Sequence, residues 1–122
     1  MTTIHIEEGQ PENGWWSVRF IMADGVFTED DLAAVKARTR GWTGCNPLRP
    51  SERSAEGIGC FDGRDPARLV LTYSRNIHGR PAQEAMRVLR VCYPGARFTT
   101  YGNSTKELFG DKVEQIRYTP RS

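Results

Sequence analysis

Histidine, cysteine and lysine are scarce here: two, three and three residues in a chain of 122. Each scarcity narrows the chemistry. There is no H-E-x-x-H run, no acidic calcium loop and no paired aspartate motif. Cys45, Cys60 and Cys92 stand far apart, whereas structural zinc needs close pairs such as C-x-x-C. No metal site and no cofactor are therefore expected. An odd, sparse cysteine set also differs from the even, dense sets of secreted disulfide scaffolds. A Cys45–Cys60 bridge is not expected. Cys92 falls on a helical core stripe and Cys60 in a candidate strand, so both read as small buried apolar residues. Cys45, in a loop, is the one open to reaction.

Other motifs are missing too. No apolar run reaches the roughly 18 residues of a membrane span. MTTIHIEEGQ has neither the basic nor the apolar part of a signal peptide, so a cytoplasmic protein without a membrane partner is expected. There is no P-loop, no G-x-G-x-x-G and no nucleophile elbow. The aromatic signature of RNA-recognition sheets is absent as well. No repeat or linker divides the chain, which is read as one domain over 1–122.

What is present is charge, unevenly spread. Glu7, Glu8, Glu12, Asp24, Glu29, Asp30 and Asp31 face the single Arg19 in the first 31 residues, a net of −6. The chain as a whole is +2, so the remainder carries +8. Fourteen of the seventeen basic residues are arginine, the better fork for carboxylate and phosphate. Between 75 and 97 five arginines meet only Glu84, a net of +4. Such asymmetry suggests two faces of opposite sign, one of which meets a charged partner.

The pattern of elements is mixed. Thr3–Glu7 reads as a short strand, and GQPENG as a loop. WWSVRFIM alternates with period two, setting Trp16, Val18, Phe20 and Met22 on one face. Thr28 and Asp31 form a capping-box pair at the start of a helix, with Phe27 and Leu32 as its hydrophobic staple. Glu29, Asp30 and Asp31 complement the dipole at its start, and Lys36, Arg38 and Arg40 at its end. Gly41 supplies the stop. A long loop follows at about 41–67, within which GIGCF (57–61) reads as a strand. RLVLTYS is the next strand. A helix over 81–93, opened by Pro81, carries Ala82, Ala85, Met86, Leu89 and Cys92 as its core stripe. ARFTTYG reads as a strand. STKELFG reads as one turn capped by Ser104 and Glu107, which also accounts for the sequon at Asn103. KVEQIRYT is a charged edge strand.

These elements predict an α+β fold: an antiparallel sheet with two helices on one face. Its core would be a ferredoxin-like β-α-β-β-α-β arrangement, with extra N- and C-terminal strands.

Three readings of function follow. The first is a small non-enzymatic protein acting by stoichiometric association with a macromolecular partner, a protein complex foremost. An accessory or inhibitor protein of the kind phages and mobile elements encode to block a host complex fits its size and lack of motifs. Trp42 would anchor the contact, with Arg49, Arg53, Arg75, His78, Arg80, Arg87, Arg90 and Arg97 around it. The second reading is nucleic-acid binding through the basic 75–97 surface, with Trp15, Tyr73, Phe98 and Tyr101 as candidate stacking residues on an open sheet. The third is a metal-free ribonuclease or phosphotransfer enzyme using His78 with Arg75 and Arg80 in YSRNIHGRP. The thin catalytic inventory ranks binding above catalysis. His5 reads as an outward strand residue.

Overall fold

A computed structural model describes residues 2–12, 15–39, 66–74 and 79–117. In order these form β1 (Thr3–Glu12), β2 (Trp15–Met22), α1 (Glu29–Thr39), β3 (Arg68–Ser74) and α2 (Arg80–Cys92). β4 (Arg97–Thr100), α3 (Asn103–Phe109), a 3-10 turn (Gly110–Lys112) and β5 (Glu114–Gln115) follow. The GIGCF segment and the Gly41 stop lie outside the described residues.

The fold is α+β, but the sheet is mixed rather than antiparallel. Its order is β3-β2-β1-β4-β5. β1 and β2 pair antiparallel, as do β2 and β3, whereas β4 runs parallel to both β1 and β5. The ferredoxin-like arrangement is not confirmed. The N-terminal strand is no appendage: it is the central strand, bonded on both sides. Its Ile4 and Ile6 are fully buried.

β1 also runs on through residues expected to form a loop. Its ladder to β4 ends at Ile6↔Thr100. Past that point β2 is the one neighbour of β1 among the described strands, and the register shifts between Gly9 and Glu12. Proline is tolerated in such a bulged, one-sided stretch because no second neighbour asks for its missing N–H. The carbonyl of Ile6, at the end of the ladder, accepts a hydrogen bond from Thr100 Oγ1 at 2.9 Å.

One sheet face makes the core. In register across the strands, Ile4, Ile6, Val18, Phe20, Met22, Leu69, Leu71, Tyr73 and Phe98 join a single cluster with helix residues Val35, Ala85, Met86, Leu89 and Phe109. Each large aliphatic or aromatic side chain so buried stabilises the fold by about 1.5–3 kcal/mol. Among the described residues three helices rather than two supply the cover. α3 begins at Asn103, with Gly102 as its N-cap and no side-chain cap. Ser104 therefore lies inside the helix, and its pairing with Glu107 as a capping box does not form.

α1 starts as its sequence predicts. Thr28 N–H donates to Asp31 Oδ2 at 2.9 Å, and Asp31 N–H donates to Thr28 Oγ1 at 3.1 Å. Phe27 is buried and Leu32 packs against the core, as expected of a staple. Asp31 is itself buried and accepts a hydrogen bond from Tyr93 Oη, just past the end of α2. The cap of one helix is thus bolted to the end of the other.

Cys92 departs from expectation, being an exposed free cysteine. The core stripe of α2 passes from Leu89 to the partly buried Tyr93 instead. The Cys92 thiol is pushed up by local burial and then by the nearby Asp31 carboxylate.

Candidate functional site

Of the residues singled out for partner binding, Trp42, Arg49, Arg53, Arg75 and His78 lie outside the described residues. Arg80, Arg87, Arg90 and Arg97 are described, and all are exposed. The first three project from the side of α2 that faces away from Pro81, Ala82, Ala85, Met86 and Leu89. Helical spacing does this: positions 80, 84, 87 and 91 line one stripe, and 83, 87 and 90 the next.

Packing of α1 against α2 adds an arginine that sequence spacing did not show. Arg38 Nε lies 3.3 Å from Glu84 Oε2, while Arg87 Nη1 lies 3.1 Å from Glu84 Oε1. One carboxylate thus sits between two guanidiniums from different helices. Arg80 and Arg90 have no ion pair among the described residues. Four arginines against Glu84 give this surface a net +3. Val91, 81% exposed, stands at its end. Arg97 is a different case. Its Nε and Nη2 reach Glu114 at 2.8 and 2.7 Å in a two-point fork that joins β4 to β5. Each partner favours the charged form of the other, raising Arg97 and lowering Glu114.

The start of α2 also has a structural account. Gly79 caps it at φ 75°. A Cβ there would meet Leu108 Cδ2 at 3.0 Å and Cδ1 at 3.1 Å. Gln83 Nε2 donates to the Leu108 carbonyl at 3.1 Å. So the glycine of YSRNIHGRP admits a left-handed turn and the packing of α3.

Of the aromatics proposed for an open sheet face, Tyr73 and Phe98 are core residues, and burial pushes the Tyr73 hydroxyl strongly up. The Trp15 side chain is outside the described residues. Tyr101, immediately after β4, is 44% exposed.

The sheet face opposite the core holds a second polar group that the sequence reading treated as an outward residue. His5 Nδ1 lies 3.0 Å from Thr99 Oγ1, and its ring sits 4.4 Å from that of Tyr101, tilted by 55°. Its Nε2 is buried without a hydrogen-bond partner among the described residues. Burial lowers the imidazole below 6.5, and Glu7 opposes this only in part. The fold therefore prefers neutral His5, while the unfolded chain binds its proton more readily. The stability this preference contributes is present above pH 6.5 and is lost as the pH falls through the lowered folded value. Between pH 7.5 and about 5 the native chain should lose more Tm than a His5→Gln variant. Equal losses would show that His5 does not sense the fold.

Among the described residues no three His, Cys, Asp or Glu side chains come close enough to hold a metal ion, and no helix is long and apolar enough to cross a membrane. No protein-family model, no curated protein and no solved structure matches this chain.

Proposed function

We propose that the protein works by stoichiometric binding and presents the arginine face of α2 to an acidic surface on a protein partner. The observation that carries this reading is the exposed row of Arg80, Arg87 and Arg90 on α2, to which α1 adds Arg38 through the Glu84 carboxylate shared with Arg87, with Val91 exposed at its end. Arginine forks suit carboxylate recognition, and an exposed aliphatic residue gives the contact something to desolvate. Blocking a larger complex, as an accessory or inhibitor protein does, is the form of this activity that a small chain fits.

The test is capture from lysate with and without nuclease, comparing the native chain with an Arg87→Glu/Arg90→Glu variant. A discrete protein should stay bound after nuclease, and the double reversal should weaken it about tenfold or more. Unaltered capture by the variant would remove α2 as the binding face. The same face supports a second reading, nucleic-acid contact, because it is basic and rich in arginine. In that case capture is lost with nuclease, and affinity falls steeply with salt.

A further inference from the structure

α1 and α2 lie side by side and antiparallel. Asp31, in the first turn of α1, accepts the Tyr93 hydroxyl just past the end of α2, whereas Arg38, in the last turn, reaches Glu84 in the first half of α2. The outer side of this pair is split by charge. At one end Glu29 and Asp30 are exposed, two acids for a net of −2. At the other stand Arg38, Arg80 and Arg87, three cations against the Glu84 carboxylate that Arg38 and Arg87 share, for a net of +2. Arg90 is set apart. It lies on the stripe that carries Gln83, and Gln83 turns toward α3. Val91, two residues before Tyr93, stands at the acidic end and is 81% exposed.

Such a face is complementary to itself. A two-fold axis across the middle of the helix pair sets the acidic end of each copy on the basic end of the other, and makes every favourable contact twice. Stacking the two pairs in the same direction would set like charges together, which is costly. The carboxylates of Glu29 and Asp30 suit guanidinium forks, and both copies of Val91 lose water in the contact. Ala33 and Ala37, exposed on α1, are small enough to let a second helix approach. We propose that the acidic surface met by the arginine face is the start of α1 in a second copy of this chain, giving a two-fold dimer through α1 and α2. The inference rests on the arginine-face reading and names its partner.

The experiment is sedimentation velocity of the full chain from about 1 to 500 μM, where reversible growth to twice the monomer mass is expected. Arg38→Glu/Arg87→Glu should weaken the dimer about tenfold or more, and so should Glu29→Lys/Asp30→Lys. Mixing the two reversed chains should restore association to within about threefold of native, because each reversed end then meets an opposite charge. Loss of folding cannot produce that rescue. Val91→Asp alters a side chain outside the core and should also weaken the dimer. A native chain that stays monomeric up to about 500 μM overturns the proposal. So does a dimer unaltered in Arg38→Glu/Arg87→Glu, or a mixture that associates no more tightly than either reversed chain alone. Failure here is separable from failure of the arginine-face reading. If the native chain is monomeric but its capture of a lysate protein is lost in Arg87→Glu/Arg90→Glu, the face stands and its acidic partner is another protein.

Discussion

Truncating Phe20 to alanine is expected to cost about 3–5 kcal/mol of stability, the usual range for a sealed aromatic. Phe20 is fully buried on β2, between Ile6 of β1 and Leu69 of β3. Its ring meets Phe109, the last residue of α3, edge-on at 6.5 Å and 63°. Removing it opens a void under the middle of the sheet and takes away the surface on which α3 rests. Domains of this kind are stable by only about 5–15 kcal/mol, so the loss would be a large fraction of the whole. Phe20→Leu, which keeps most of the volume, should cost distinctly less. Urea unfolding of the two variants measures both. A loss below about 1 kcal/mol for Phe20→Ala would mean that the site collapses freely and that the packing described here is not sealed.

The second large effect lies at Asp31, where alanine should cost about 2–4 kcal/mol from two separable sources. The cap bond to Thr28 N–H is worth about 1 kcal/mol. The Tyr93 hydroxyl, left without its acceptor, adds about 1–3 kcal/mol. Asp31→Asn keeps a side-chain acceptor at the cap and should fall between the native chain and alanine. The double variant Asp31→Ala/Tyr93→Phe should cost less than the sum of its parts, because one interaction is removed twice. Strict additivity would show that the two helices are not coupled through this carboxylate. An alkaline signature belongs to the same contact. Burial and then the bond to Asp31 push the Tyr93 hydroxyl up from 10 to about 12. The stability this gives is fully present below pH 10 and is lost as pH rises through about 12. Tyr93→Phe should flatten that part of the profile.

Local rules were legible in the sequence where local physics decides. Both residues of the expected staple, Phe27 and Leu32, pack into the core, and the Thr28/Asp31 box and the buried alternation of Val18, Phe20 and Met22 form as read. So do the apolar stripe of α2 up to Leu89 and the exposure of Arg87 and Arg90. What failed was long-range. Nothing in TIHIEE announces that residues 97–100 will lie parallel beside it. Without that pairing a short strand with His5 and Glu7 on its second face looks peripheral. Pro11 was read as a loop signal, although Glu12 pairs with Trp15 and the two residues between them, Asn-Gly, are a strong hairpin signal. The arginine face was half legible. Spacing put Arg87 and Arg90 together, but only helix packing brings Arg38 to Glu84.

The central place of β1 bears on how the chain folds. Its antiparallel partner β2 is the next element, so the hairpin can form at once. Its parallel partner arrives much later: the His5–Thr99 contact spans 94 residues. Until then β1 presents an unpaired edge with Ile4 and Ile6 uncovered, the kind of edge that recruits other chains. Closing a parallel pair across such a separation is entropically slow. During synthesis β1 must therefore wait for β4, 94 residues further on at the His5–Thr99 contact, before its second side is filled. A chain cut after α2 would keep the hairpin but never close the sheet, and aggregation rather than partial function is its expected fate.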